Sequence, residues 1–364
     1  MLSPLEGGGS KLNIDYGATP PADTTKLWVP LAKKPDAVEC KPELAFGEYT
    51  SGVLSAKIPS DQKIYPMVSI VGKIIYIIGG GTSSKVTVFN PETGSIATKE
   101  NGIPAYRQGA ACASVANKIY MIGGNSTTGT DGVIVIYDTV SETTTYATYA
   151  TNIASRASAC VIGTDVYFYG GLARGGGWNN TLYKYDTLKD TISTLANMPY
   201  YFSGMIAVNK KIYFFGGSNS SALPQKQSFV YDTETKTTTG IAEFPKYVFE
   251  YPCCAAFGDN IFIFGGKLSD MASTSSSHAY VSSTVYKYSI SNNTYESVGA
   301  LPVSTYASQA IPFGLDVYIF GGAIDVSYTS NQTDSIQKFS TNSPLTNNHL
   351  FPKRTTVLMA CGLL

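Results

Sequence analysis

At 364 residues the chain is longer than one ordinary domain, a length that a repeat array or a large β-fold can fill as a single unit. Lys+Arg and Asp+Glu are 26 each and charged residues reach only 14%, which excludes the basic footprint that DNA, RNA or an anionic lipid surface requires. Hydrophobic content of 43% allows a sizeable core, so the polar surface falls to Ser, Thr, Asn, Gly and an abundant 26 Tyr.

In chain order, residues 1–25 are rich in Gly, Pro and Thr and hold too few apolar residues for a core. They read as a flexible N-terminal arm, with residues 26–364 as the folded body. Residues 1–10, MLSPLEGGGS, show neither a basic start nor an apolar stretch, so no secretory signal peptide is expected. Runs such as Ile74 to Ile78 are too short to cross a bilayer, so no membrane insertion is expected. The segments KLWVPL, DAVECKPE and SGVLSAKIP, between residues 26 and 59, read as three strands.

From there the chain repeats itself. Gly-Gly pairs begin at Gly79, Gly123, Gly170, Gly216, Gly265 and Gly321, at steps of 44, 47, 46, 49 and 56. Each pair closes an apolar run, with an aromatic three residues before it: Tyr76, Tyr120, Tyr167, Tyr213, Phe262 and Tyr318. Such runs are strands, and the glycines suit a sharp turn or close packing. A second strand follows, ending in Phe89-Asn90, Tyr137-Asp138, Tyr185-Asp186, Tyr231-Asp232, Tyr288-Ser289 or Phe339-Ser340. After a polar turn comes a Thr-rich strand. A proline then marks the return to the centre, where a run of small apolar residues such as Ala110 to Ala113 forms an inner strand. Five of the six cysteines (Cys112, Cys160, Cys253, Cys254 and Cys361) fall in these inner strands and read as core packing, not metal ligands.

This order of apolar run, Gly-Gly and Tyr-Asp resembles the kelch repeat, one four-stranded blade of a β-propeller. The tryptophan that many kelch repeats carry in the last strand is replaced here, by Ile96, Ile192 and Tyr295 among others. The resemblance implies an all-β kelch-type propeller. Residues 351–364 look like one more inner strand, so the expected ring has seven four-stranded blades rather than six. The closing blade would combine this C-terminal strand with the three N-terminal ones. Trp28 then takes the aromatic slot, 48 residues before Tyr76. The six-blade alternative leaves residues 1–50 as a separate arm.

With strands named A to D from the axis outward, B–C and D–A connections share one face. The A–B and C–D turns are short, whereas the B–C segments after Gly266 and Gly322 are long and varied. Long loops on a rigid scaffold carry recognition, so the B–C/D–A face is the candidate site. All four arginines, Arg107, Arg156, Arg174 and Arg354, fall on these segments. Arg107 stands 16 residues before Gly123, a place resembling the arginine that opens the inner strand in kelch adaptor domains and meets acidic ligands. Trp178, Tyr201, Tyr251, Tyr280, Tyr306 and Tyr328 crowd the same segments. Tyr, Trp and Arg dominate contact energies, and flat aromatic faces suit sugar rings.

Some propellers of this kind are enzymes. A galactose-oxidase-like copper site needs converging histidines, and the chain has only His278 and His349, neither expected near the axis. Sialic-acid mutarotases resemble the chain better, with Arg107, Arg156 and Glu250 available as arginine and carboxylate, but those enzymes are exported with a signal peptide. No phosphate loop, metal cluster or Ser-His-Asp order is present. The expected function is therefore non-catalytic, with no cofactor and no metal. It is a glycan- or protein-binding propeller resembling those displayed on cell surfaces and phage tail-like particles, with residues 1–25 available to dock onto an assembly. The alternatives are a mutarotase-like enzyme and an intracellular kelch adaptor.

Overall fold

The structure is a computed structural model that describes residues 14–17, 27–30, 49–105, 107–124, 133–150, 153–173, 177–274, 276–327 and 331–341. The chain divides into two compact units, residues 1–46 and residues 47–364. In the first, Ile14–Gly17 pairs in parallel with Leu27–Pro30.

The second unit is an all-β propeller. Each Gly-Gly pair follows a B strand that pairs on one side with an A strand of small apolar residues. On the other side it pairs with a C strand ending in the aromatic-polar dipeptide. Among the described residues, the sheets of this unit number five of four strands, one of seven and one of two strands. The inner strands are Met67–Val71, Ala111–Val115, Ser158–Ile162, Gly204–Val208, Cys253–Phe257 and Gln309–Phe313. Each lies beside the next, and the last lies beside the first. Small side chains permit this crowding around an axis. Cys112, Cys160, Cys253 and Cys254 sit in these strands as free thiols. Burial pushes the Cys112 thiol up to about 12, consistent with packing rather than reactivity.

Between neighbouring sheets the aromatic of one B strand meets the aromatic that ends the next C strand. The ring centroids are 6.5 Å apart for Tyr76–Tyr137, 5.8 Å for Tyr120–Tyr185, 6.2 Å for Tyr213–Tyr288 and 5.9 Å for Phe262–Phe339. Tyr318–Phe89, at 5.5 Å, joins the last repeat to the first. Where the last-strand tryptophan is missing, Ile96 and Ile192 pack against the core, and Tyr295 stacks among Phe215, Phe244 and Tyr288.

The Gly-Gly corners clamp one repeat to the next. Gly265 and Gly266 have φ of +60° and +97°. A Cβ on Gly265 would collide with the Thr305 carbonyl of the following repeat, while the Gly266 N–H donates to that carbonyl at 2.9 Å. Gly80 makes the same bond to Arg107 at 2.8 Å, and Gly322 to Lys63 at 2.6 Å. Only glycine combines this backbone conformation with so close an approach.

Closure differs from the sequence expectation. The strand Thr50–Lys57 does not join a separate seventh sheet. It adds to the sheet of the sixth repeat, antiparallel to Ser335–Ser340, with Ser51 opposite Phe339. Tyr49 stacks on Phe339 at 5.5 Å, and Leu54, Ala56 and Ile58 pack on the core beneath. The N-terminal segment thus takes the D position beside the C strand of the sixth repeat. Leu27–Pro30, expected as the B strand of the extra blade, instead pairs with Ile14–Gly17. Residues 31–48, with the proposed Cys40 match, and residues 351–364 lie outside the described residues.

Candidate functional site

The A strands enter the axis through a residue that repeats with strict spacing. Tyr65, Gly109, Arg156, Phe202, Tyr251 and Ala307 each stand 14 residues before the first glycine of their own pair. All six adopt left-handed backbone, with φ of +49°, +67°, +61°, +59°, +47° and +54°. Backbone bonds link them round the mouth. The Tyr65 N–H donates to Ala307 O at 3.2 Å, Gly109 to Tyr65 at 3.5 Å, Arg156 to Gly109 at 2.5 Å, and Tyr251 to Phe202 at 3.2 Å. A non-glycine residue in this conformation costs about 1–3 kcal/mol. Glycine at Gly109 avoids that cost, yet five positions carry side chains.

Four of those side chains converge. The Arg156 guanidinium lies 5.6 Å from the centre of the Tyr65 ring, a cation–π distance. Tyr65 meets Tyr251 edge-on at 5.8 Å, and Tyr251 packs on Phe202 at 5.1 Å. The Tyr251 hydroxyl donates to the Arg156 carbonyl at 3.1 Å, tying the third repeat to the fifth. Burial, reinforced by Tyr65 and Glu250, raises the Tyr251 phenol well above its ordinary value, so it stays a neutral donor. Outward, Trp178 stands T-shaped on Phe202 at 4.9 Å and remains 43% exposed. An aromatic path therefore runs from solvent at Trp178 to the axis at Tyr65.

The expected site residues divide by placement. Trp178, Arg156, Tyr201 and Tyr251 share this region, through contacts with Phe202 or with one another. Arg107 does not join them at the surface. It is 3% exposed, with its guanidinium on the Gly123 carbonyl of its own corner. Gln62, Ser203 and Thr305 cap the Gly79, Gly216 and Gly321 carbonyls in the same way, at 3.0, 2.7 and 2.9 Å. The two arginines are thus not equivalent: Arg107 stands 16 residues before its glycine and caps the corner, Arg156 stands 14 before and lines the mouth. Tyr306 is also core, 0% exposed, its backbone bridged to Ala323 in both directions. Tyr280 is half-buried on a short strand opposite Leu268. Arg174, Tyr328 and Arg354 lie outside the described residues, as does His349, while His278 is exposed on a single 3₁₀ turn.

The long B–C segment after Gly266 is more ordered than a variable loop. Lys267–Ser269 pairs with Ala279–Val281 and with Tyr247–Glu250, which reaches the fourth repeat through Gln225 opposite Val248. This added sheet accounts for the seven-stranded count. It also holds a charge pair the sequence did not single out. Lys267 Nζ lies 3.9 Å from Glu250 Oε1, with side chains only 11% and 17% exposed. Glu250 Oε2 is buried without a hydrogen bond, a state that costs upward of about 1–3 kcal/mol.

Among the described residues no group of three or more His, Cys, Asp or Glu could hold a metal ion, and no helix is long and apolar enough to cross a membrane.

Comparison with known proteins agrees with this architecture. A family profile described as the KLHDC2/KLHL20/DRC7 Kelch-repeats domain matches residues 67–237. No curated protein sequence matches the chain. A solved structure titled "Structure of YjhT" superposes with a TM-score of 0.65 at 13% identity, covering 77% of this chain and 95% of that one. At that identity the likeness concerns the fold alone. Residues 67–237 carry kelch repeats, and the second unit is an all-β, kelch-type propeller.

Proposed function

We propose that this propeller is a non-catalytic recognition module that binds a glycan or a protein partner on the face carrying the B–C and D–A segments. The observation that carries the proposal is the left-handed ring at the mouth, where five positions keep side chains that a glycine would hold with less strain. Strain retained at one end of a rigid scaffold is a mark of function. The half-exposed Trp178 at the end of the aromatic path supplies the flat apolar face that sugar rings and peptide anchors use. Display on a cell surface or particle, with residues 1–25 as the attaching arm, fits the low charge and the Tyr-, Ser- and Thr-rich composition.

The proposal includes six blades. The left-handed entry residue, the A–B turn and the Gly-Gly corner each recur six times, and the last inner strand lies beside the first. The seven-stranded sheet contains a four-stranded blade extended by the added strands. A left-handed residue marks the C–D turn five times, at Gly94, Glu142, Asp190, Lys236 and Asn293. In the sixth repeat the strand beside Ser335–Ser340 is Thr50–Lys57, from the N-terminal side.

A mutarotase-like reading, the second candidate, would place Arg156 and Glu250 in the roles of arginine and carboxylate. The test is a glycan array with the wild-type protein and Trp178→Ala, alongside an NMR assay for sialic-acid anomer exchange. Binding to one glycan class, lost in the variant, supports the lectin-like reading. Accelerated anomer exchange replaces it with the enzyme. Silence in both assays removes the glycan arm and leaves a protein partner.

A further inference from the structure

The first unit carries a sheet that does not stand well alone. It spans residues 1–46, and its described strands, Ile14–Gly17 and Leu27–Pro30, form a two-stranded parallel ladder. A lone pair of strands is marginal in water, and parallel ladders occur almost only where both faces are covered. Residues 18–26 join the strands, with Pro20 and Pro21 among them. A connection that lays a helix over its own ladder takes a dozen residues or more. Units near this size usually hold together through disulfides, metal or association. Cys40 is the single cysteine of residues 1–46, and no histidine lies among them. A disulfide within the unit is therefore ruled out, and of the three means the composition favours association.

The ladder is complementary to a copy of itself. Its register sets Ile14 beside Leu27 and Tyr16 beside Val29, alternate positions that put four apolar residues on one face. Each strand has a second hydrogen-bonding edge, and among the described residues neither edge is paired. Around an axis parallel to the strands every copy of the chain points them the same way, so a ladder between copies must be parallel. That is the sense already present within one chain. The Leu27–Pro30 edge of one copy can therefore take the Ile14–Gly17 edge of the next. In the same register Asp15 again stands beside Trp28, never beside a second Asp15. Such a head-to-tail contact closes into a ring or runs on as a filament. Strand spacing decides the closure. Four strands about 4.8 Å apart make a ring about 6 Å across, too narrow for side chains, whereas six make one about 9 Å across, close to the roughly 10 Å between packed sheet faces. We propose that Ile14–Gly17 and Leu27–Pro30 are a trimerisation module, in which three copies of this chain close a six-stranded parallel ring on the face of Ile14, Tyr16, Leu27 and Val29. The inference is independent of what the propeller binds. Three propellers on one assembly would strengthen weak single-site binding through avidity.

The experiment is sedimentation velocity and light scattering of the intact chain over a range of micromolar concentrations. The double variant Asp15→Pro/Tyr16→Pro is measured alongside. Successive residues of a strand donate to opposite edges, so the two prolines remove donors from both. The expected mass of the wild type is three times 38.9 kDa. In the variant it should fall threefold, to a single chain, with the near-UV dichroism of the propeller tyrosines unchanged. A single-chain mass for the wild type overturns the module and leaves the ladder to be covered within its own chain. A mass of two copies, or an open filament, overturns the closed ring of three. Three copies persisting in the variant place the contact elsewhere and overturn it as well. Should the variant fail to fold, hydrogen exchange of the intact chain on dilution carries the test. Protection at residues 14–17 and 27–30 that is lost as the trimer dissociates supports the module, and protection that is the same in the single chain overturns it.

Discussion

Gly258 and Gly265 allow backbone conformation and close approach to be separated within one repeat. Their φ values, +56° and +60°, are nearly equal, so an alanine at either position carries the same left-handed strain. Their surroundings differ. A Cβ on Gly258 meets nothing within 4 Å, whereas one on Gly265 collides with the Thr305 carbonyl and sits 3.3 Å from that of Ser282. Gly258→Ala should therefore cost about 1 kcal/mol, the low end for a non-glycine left-handed residue. Gly265→Ala adds backbone displacement of about 1–3 kcal/mol. It also weakens the bonds from Gly266 N–H to Thr305 O (2.9 Å) and from Thr305 N–H to Ser282 O (3.2 Å), each worth about 1 kcal/mol. Its total reaches about 4–6 kcal/mol. At about 2 °C per kcal/mol, as expected for a long chain, the midpoints should fall by about 2 °C and about 8–12 °C. Thermal and urea unfolding of the two variants under identical conditions measures this. Midpoints that fall together would refute the clamp, leaving the glycine pair explained by backbone conformation alone.

Four further outcomes follow from the same geometry. Compared with residues 47–364, a chain shortened to residues 58–364 loses the strand paired with Ser335–Ser340 and the Tyr49–Phe339 stack; calorimetry should show a loss of roughly 5 kcal/mol and light scattering an aggregating edge. Arg107→Met should lower stability by leaving the Gly123 carbonyl uncapped but spare ligand affinity, while Trp178→Ala should do the reverse; equal effects in both assays would contradict the division. Asp138, Asp186 and Asp232 each accept two backbone N–H groups in their C–D turns, which lowers their pKa below 3.8. The stabilisation is present above that value and lost as pH falls through the lowered one, so Asp→Asn at these turns, matching Asn90 in the first repeat, should flatten the stability profile below about pH 4. Tyr251→Phe removes the bond from the hydroxyl to the Arg156 carbonyl and should cost about 1 kcal/mol of stability; hydrogen exchange at the neighbouring mouth amides should speed up in that variant and in no other named here.

The repeat was legible because its signals are local. An apolar run, two glycines and an aromatic-polar dipeptide mark strand, corner and turn without reference to distant residues. Closure was not. Residues 51–59 read as an outer strand either way, and only pairing with Ser335–Ser340 decides which sheet receives it. Residue type selected Trp178 and Tyr251, which the structure places together near the mouth, but it also selected Tyr306, and the resemblance at 16 residues before Gly123 selected Arg107; both of these are buried in the core. Counting back from the glycines would have separated them. A spacing of 14 residues defines the mouth and would have added Tyr65 and Phe202; 16 holds the corner caps Arg107 and Thr305. Lys267 gave no signal, because a lysine after a corner glycine looks like a solvated loop residue until its cross-strand partner is known.

The mouth shows how a repeated scaffold yields a single site. Ring symmetry demands one left-handed residue per repeat at the same depth, and it sets the backbone bonds between them. It does not set the side chains. Gly109 and Ala307, which flank Tyr65 in the ring, are small, while Arg156, Phe202 and Tyr251 are large. A purely structural plug would be served by apolar residues throughout. Here a cation faces an aromatic ring, and a phenol enclosed by protein holds a carbonyl two repeats away. Both interactions fix rotamers before any ligand arrives, which lowers the ordering cost of binding. The backbone clamps at the Gly-Gly corners hold the same segments from beneath. The recognition proposed for this face would draw on rigidity that folding supplies, with ligand choice left to the few positions where the six repeats differ.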